Sequence, residues 1–223
     1  MKFKCEYCGK EFSKESTISV HMCERKRRTL SKNEKDIQLA FRVYQLFYKI
    51  GTNTKKNKTF EEFISSQYYV GFVKFSRYCI DLKIDDVESY VKWLLSNNKK
   101  LDRWASDTNF IAWTKDRLKK ESPDRGVERT ILFLQEWEEE TGIQFNEYFN
   151  KVSPNVAVFH ICSGKINPWV LYGSNSAMKL IDKFNKEQIQ LVIDYIDPDF
   201  WEHKIKMQKK DFEWVKSVIG EVL

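Results

Sequence analysis

The chain has 223 residues, 42% of them hydrophobic and 31% charged, a net charge of +6, and no apolar run of the roughly eighteen residues a membrane span requires. These values exclude an integral helical membrane protein and a wholly disordered chain, and leave room for a small N-terminal module plus one or two packed domains. The N-terminus opens on Lys2 instead of the apolar core of a secretory signal, so a soluble, cytoplasmic protein without membrane partners is expected.

In chain order the first element is Phe3-Lys4-Cys5-Glu6-Tyr7-Cys8-Gly9-Lys10-Glu11-Phe12, followed by Ile18, His21 and Cys23. Two cysteines separated by two residues, then twelve residues to a histidine, with Phe3, Phe12 and Ile18 in register, predict a ββα-type zinc finger within residues 1–28. One Zn²⁺ on Cys5, Cys8, His21 and Cys23 is the expected cofactor; a reduced, metal-free hairpin is the alternative. Fewer than thirty residues cannot bury enough apolar surface to fold alone, so metal binding would supply much of the folding free energy.

Standard fingers leave three to five residues between the last two ligands, whereas only Met22 separates His21 from Cys23. Residues two apart on a helix point to nearly opposite sides, so the helix must end or tighten at His21 for Cys23 to swing back. Residues 1–28 hold eight Lys or Arg against four Glu, and thus +4 of the net +6. Arg25, Lys26, Arg27 and Arg28 directly follow the last ligand; such a run is often only solvated, but beside a finger it points to phosphate.

After the finger the pattern is helical. Ser31 with Glu34 reads as a capping box ahead of Ile37, Ala40, Phe41, Tyr44, Phe47 and Tyr48, a run that Gly51 stops. The linker 52–58 carries Lys55, Lys56 and Lys58 and no apolar residue. Thr59 with Glu62 is a second capping box, opening an aromatic helix through Phe63, Tyr68, Phe72, Phe75 and Tyr78. Asp85 with Glu88 starts a third helix with Val87, Tyr90, Val91, Leu94 and Leu95 on its core face, broken at Asn97-Asn98. A turn around Trp104 leads to a helix over 108–120.

All four prolines follow a capping residue type, in Ser122-Pro123, Ser153-Pro154, Asn167-Pro168 and Asp197-Pro198, and so mark four helix starts. The first of these helices ends in Glu138-Glu139-Glu140 before Gly142, where carboxylates oppose the helix dipole. Further helices are expected after Ser176 and Asn185 and over 211–219. The fold class is therefore all-α, two small helical lobes behind the finger that divide near 119–126 or 142–153, the first division giving lobes 31–120 and 122–223, with a domain boundary at 29–32. Cys79 and Cys162 stand alone in helical patterns, as small core residues of a protein from a reducing compartment.

No glycine-rich phosphate loop, nucleophile triad or second metal cluster is visible, so a non-catalytic role is expected. His160 sits in an apolar run and reads as a core histidine. Asp199, Glu202 and Lys204 hint at a nuclease motif, but Pro198 places them on a helix instead of the strands such a site needs.

The body over about 37–219 resembles the replicative helicase loaders of T-even-type bacteriophages. The likeness rests on Val43-Tyr44-Gln45-Leu46-Phe47, on the aromatic stretch 68–78, on Asn97-Asn98-Lys99-Lys100-Leu101-Asp102-Arg103-Trp104, and on Asn146-Glu147-Tyr148-Phe149-Asn150-Lys151-Val152 and Lys179-Leu180-Ile181-Asp182-Lys183 further on. It implies a two-lobed α fold whose first lobe is similar to an HMG box. It also implies binding to forked and single-stranded DNA, and contact with a replicative helicase and a single-strand-binding protein, in the host cytoplasm if phage-encoded. The finger departs from the family pattern.

For the DNA contacts, the charge reading selects Lys14, Arg25, Lys26, Arg27 and Arg28, with Lys55, Lys56 and Lys58 as a second group. The base-facing finger positions would be Lys14, Ser16, Thr17 and Val20, which are poor base readers, so attachment without sequence specificity is expected. About six neutralised phosphates would give a slope of log K against log salt near −5. A DNA-binding transcription regulator, or a virion or assembly protein whose finger grips another protein, are the other readings.

Overall fold

The computed structural model describes residues 2–51 and 57–222. Lys55 and Lys56 lie outside the described residues. Among the described residues the regular secondary structure is helical apart from one two-stranded sheet at the N-terminus. Two compact units result, Met1–Phe110 and Ile111–Leu223.

In the first unit, strands β1 (Phe3–Lys4) and β2 (Glu11–Phe12) precede a five-residue helix, α1 (Glu15–Ser19), and a seven-residue helix, α2 (Glu24–Leu30). The expected boundary at 29–32 is occupied by the end of α2 and a single 3₁₀ turn, Ser31–Asn33, which runs directly into α3 (Lys35–Gly51). Ser31 forms no capping box there: it ends α2, and its carbonyl accepts the N–H of Glu34.

The box at Thr59 does form. Thr59 Oγ1 accepts from the Glu62 N–H at 3.2 Å and the Glu62 carboxylate accepts from the Thr59 N–H at 2.7 Å. The aromatic helix it opens is broken in two, α4 (Phe60–Ile64) and α5 (Tyr69–Asp81). In the gap, Ser66 Oγ accepts the N–H of Tyr68 at 3.1 Å, a local bond that competes with the helical ladder. The next helix, α6 (Val87–Ser96), is capped by Asp86, one residue later than read from the sequence, with its side chain accepting from Ser89. Asn98 ends it in the left-handed region (φ +53°), and the Lys99 N–H reaches the Leu94 carbonyl.

Packing in this unit is aromatic. Trp104, fully buried, lies edge-on to Phe75 at 5.2 Å, and Tyr44 meets Phe63 and Phe72 at 5.3 and 5.5 Å. The Trp104 indole N–H donates to the Lys99 carbonyl at 2.8 Å, so burying the ring leaves no polar atom stranded.

The helix read over 108–120 is α7 (Asp107–Lys120), and the division between units falls inside it, upstream of the Lys120/Ser122 boundary read from the sequence. Its opening residues serve the first unit: Asp107 accepts from the Tyr78 hydroxyl at 2.9 Å, and Phe110 packs on Tyr78 and Tyr90. Its closing residues serve the second, with Leu118 in that unit's core and Lys115 on Asp194 at 2.6 Å. Periodicity identifies such a helix but does not say which core each turn feeds.

In the second unit the end of α7 is followed by α8 (Pro123–Thr141), α9 (Tyr148–Lys151), α10 (Pro154–Cys162), α11 (Pro168–Gly173), α12 (Asn175–Ile181), α13 (Lys186–Ile196), α14 (Pro198–Met207) and α15 (Lys209–Val222). All four proline-marked starts are observed, at α8, α10, α11 and α14. The cap of α12 is Ser174, not Ser176, and Asn185 caps α13. At the acidic end of α8, Glu138 accepts the N–H of Phe145 at 3.0 Å, which gives one of the three carboxylates a local structural use.

Trp169 and Trp201 form the centre, edge to face at 5.5 Å. A buried polar tie holds the start of α8 to α11: Glu121 accepts from Arg129 at 2.6 and 3.0 Å and from the Asn167 amide at 2.6 Å, while Asn167 Oδ1 accepts the N–H of Trp169. Cys79 is buried and Cys162 half-buried; among the described residues all five cysteines are free. No described helix is long and apolar enough to cross a membrane.

His160 packs in this core as read. Its Nδ1 lies 2.6 Å from the Tyr148 hydroxyl, and burial, helped by Lys165, pushes its pKa down to about 4. Between that value and the ordinary value near 6.5 the unfolded chain binds the extra proton, so this group's contribution to stability is complete above pH 6.5 and is lost as pH falls towards 4. Urea unfolding at pH 7.0 and 5.0 should show a smaller loss of stability in His160→Gln than in the wild type; equal losses would show that folding does not lower the His160 pKa.

Candidate metal centre and basic helix

The metal centre is built by short-range geometry. β1 and β2 pair antiparallel with Phe3 opposite Phe12 and Lys4 opposite Glu11. The connecting turn closes with Cys5 N–H to Lys10 carbonyl at 2.9 Å and Gly9 N–H to Cys5 carbonyl at 2.8 Å. Gly9 sits at φ +73°, a left-handed backbone that brings Cys5 and Cys8 onto one side of the turn. Backbone N–H groups of Cys8 and Tyr7 stabilise the Cys5 thiolate and hold its pKa below the ordinary thiol value. The Cys8 thiol is raised: the Lys10 N–H favours its thiolate, but desolvation and the neighbouring Cys5 and Cys23 sulfurs outweigh it.

α1 stops at Ser19, and the His21 N–H bonds the Ile18 carbonyl at 3.1 Å, so the chain leaves the helix just before the histidine, as the single-residue spacing requires. The His21 ring lies on Phe12, centroids 4.7 Å apart. His21 Nε2 is 3.3 Å from Cys8 Sγ, and the ligand atoms of Cys5, Cys8, His21 and Cys23 all lie within 4.8 Å of one another. Three thiols and an imidazole this close can hold a metal ion.

Cys23 does a second thing that its spacing does not announce. It is the N-cap of α2, its Sγ accepting the N–H of Lys26 at 3.4 Å. The basic run is therefore helical from its first residue. Arg25 and Arg27 are exposed, and Lys26 is partly covered with its ammonium 3.4 Å from the His21 carbonyl. Arg28 turns into the first unit: its guanidinium donates to the Ile64 carbonyl, lies 4.1 Å over the Tyr69 ring, and pairs with Glu24.

Lys14 is exposed at the start of α1, as are Ser16, Thr17 and Val20. Lys58 is bonded to Glu62 at 2.9 Å and lies over the Tyr48 ring. Of the residues read as nucleic-acid contacts, Arg28 and Lys58 are thus committed to intramolecular partners. The sequence offered one sign of this, the Glu24 to Arg28 spacing of a helical ion pair. Lys74 and Arg77, which the charge reading passed over, line a groove of about 550 Å³ together with Arg27, Tyr69 and Val73.

No family model, curated protein or solved structure matches the chain.

A Cβ on residue 9 would meet nothing closer than Lys4 Cε at 3.7 Å, so Gly9→Ala carries only the backbone penalty of the left-handed conformation. That penalty is about 1 kcal/mol, which corresponds to metal binding roughly fivefold weaker in competition with a chromophoric chelator. Unchanged affinity would mean that the turn is not formed as described.

Proposed function

We propose that the protein is a non-catalytic DNA-binding accessory factor in which one Zn²⁺, held by Cys5, Cys8, His21 and Cys23, presents a short basic helix to DNA phosphates. The observation that carries this reading is the double role of Cys23, which joins the metal centre to a helix exposing Arg25 and Arg27. Zinc suits the donor set: bond lengths of about 2.3 Å to sulfur and 2.0–2.1 Å to nitrogen imply ligand separations of roughly 3.5–3.8 Å in a tetrahedron, within the range set by the 3.3 Å between Cys8 Sγ and His21 Nε2 and the 4.8 Å that bounds the whole set. Four protein ligands also close the coordination sphere, which is the form of a structural site and not of one that activates water.

Attachment is electrostatic and indifferent to base sequence. α1 is only five residues long, and the exposed Ser16 and Thr17 on it, with Lys14 and Val20 at its two ends, include no Arg, Asn or Gln. In the fullest form of the reading the protein loads a replicative helicase: the finger attaches to forked or single-stranded DNA while the helical body contacts the helicase and a single-strand-binding protein. A two-unit helical body fits that role, and the sequence resemblance is its support. A second reading, in which the finger grips another protein, is favoured by Val20 and Met22, exposed on either side of His21.

With Lys14, Arg25, Lys26 and Arg27 as the phosphate contacts, the slope of log K against log salt should be about −3 on forked DNA. Replacing Arg25 and Arg27 by Ala should bring it to about −1.5. A slope near zero in the wild type removes DNA from the account and favours the protein-contact reading. Stimulation of helicase unwinding on DNA coated with single-strand-binding protein tests the loader role itself; DNA binding without stimulation would leave an attachment protein of another kind.

A further inference from the structure

We infer that metal occupancy of the finger and the seating of α2 on the first helical unit are one coupled event, with Arg28 as the positioning residue that links them. The inference names a means of regulating the proposed DNA-binding helix and rests on that reading only in its last step.

A helix of seven residues does not hold itself in water; it persists because its ends are pinned. The N-terminal pin of α2 belongs to the metal centre. Cys23 Sγ accepts the Lys26 N–H, and the Lys26 ammonium reaches back to the carbonyl of His21, so the helix is joined to the last two metal ligands. The other pin belongs to the helical unit. Ile64 is the last residue of α4, and its carbonyl is one of those that a helix end leaves without an intrahelical donor. The Arg28 guanidinium supplies that donor at 2.5 Å while stacking on Tyr69 at the start of α5. Glu24, one turn earlier, fixes the same guanidinium through an ion pair, and the Arg28 side chain is left only 16% exposed.

The two pins are five residues apart on one rigid turn and a half of helix. A metal ion fixes the rotamer and position of Cys23; without it the sulfur is free to rotate away from the Lys26 N–H, and α2 frays from its first turn. Fraying removes Arg28 from Ile64 and Tyr69. The coupling is thermodynamically reciprocal: whatever metal binding adds to the docking of α2, the docking adds to metal affinity. Arg25 and Arg27 lie between the pins, so their presentation to phosphate depends on both.

The test is hydrogen–deuterium exchange on the full chain, loaded with zinc and after treatment with a chelator. Coupling predicts faster exchange in residues 24–30 and also in 60–72, with 123–141 unchanged as the internal control. Arg28→Ala should bind zinc about tenfold more weakly, and Arg28→Lys, which keeps the charge and the Glu24 pair but loses the planar fork, should recover part of that. An autonomous finger gives the opposite set: chelation alters only residues 2–23, and Arg28→Ala binds zinc like the wild type. Either of these overturns the inference. DNA affinity measured on the same samples separates the two proposals. Absence of DNA binding by the zinc-loaded wild type defeats the functional reading and leaves the coupling intact, whereas undiminished DNA binding by the chelated protein defeats the link from metal to helix presentation.

Discussion

Drawing three sulfurs and one imidazole nitrogen to within 4.8 Å of one another is the constraint on which the first thirty residues of this protein depend. So short a segment has no core of its own to offset the chain entropy of ordering it. The left-handed Gly9, the early stop of α1 and the extended backbone of Cys23 each help to bring one of the four side chains into the cluster. Because Cys23 is also a helix cap, the constraint passes on into α2, and through Arg28 into the aromatic unit behind it.

The basic run shows why charge counted along a sequence overstates charge available to a partner. Consecutive residues on a helix are rotated by about 100°, so four in a row fan around most of its circumference and cannot all face one strand of phosphates. A run with one face against a protein core must give up at least one member to that core. Here it is Arg28, whose guanidinium forms a charge-assisted bond and a stacking contact that a lysine could not reproduce together. Docking of the helix on its own protein and the exposure of its remaining cations thus fall to neighbouring residues of one segment.

The two helical units solve burial differently. The first fills its interior with rings, Tyr44, Phe63, Phe72, Phe75, Tyr90 and Trp104, set mostly edge to face. The second combines a Trp169–Trp201 pair with a buried ion pair, Glu121 to Arg129, completed by the Asn167 amide. Such a group is retained at a cost in desolvation, and its use here is to set how α8 and α11 meet, since Gly126 leaves room for Asn167 and no side chain would fit there.

What the sequence determined by itself was local. The Cys5–Cys8 and His21–Cys23 pairs, the Thr59 box, the four proline-marked helix starts and the helical class of the body are each written within windows of a few residues, because caps, turns and closely spaced pairs are satisfied by near neighbours along the chain. Tertiary structure decided the rest. Arg28 finds its acceptor 36 residues away and Asn167 its carboxylate 46 residues away, separations at which periodicity carries no information about partners. For the same reason the division inside α7 was invisible beforehand: it depends on which core each turn of the helix meets, and that is settled only when distant segments pack together.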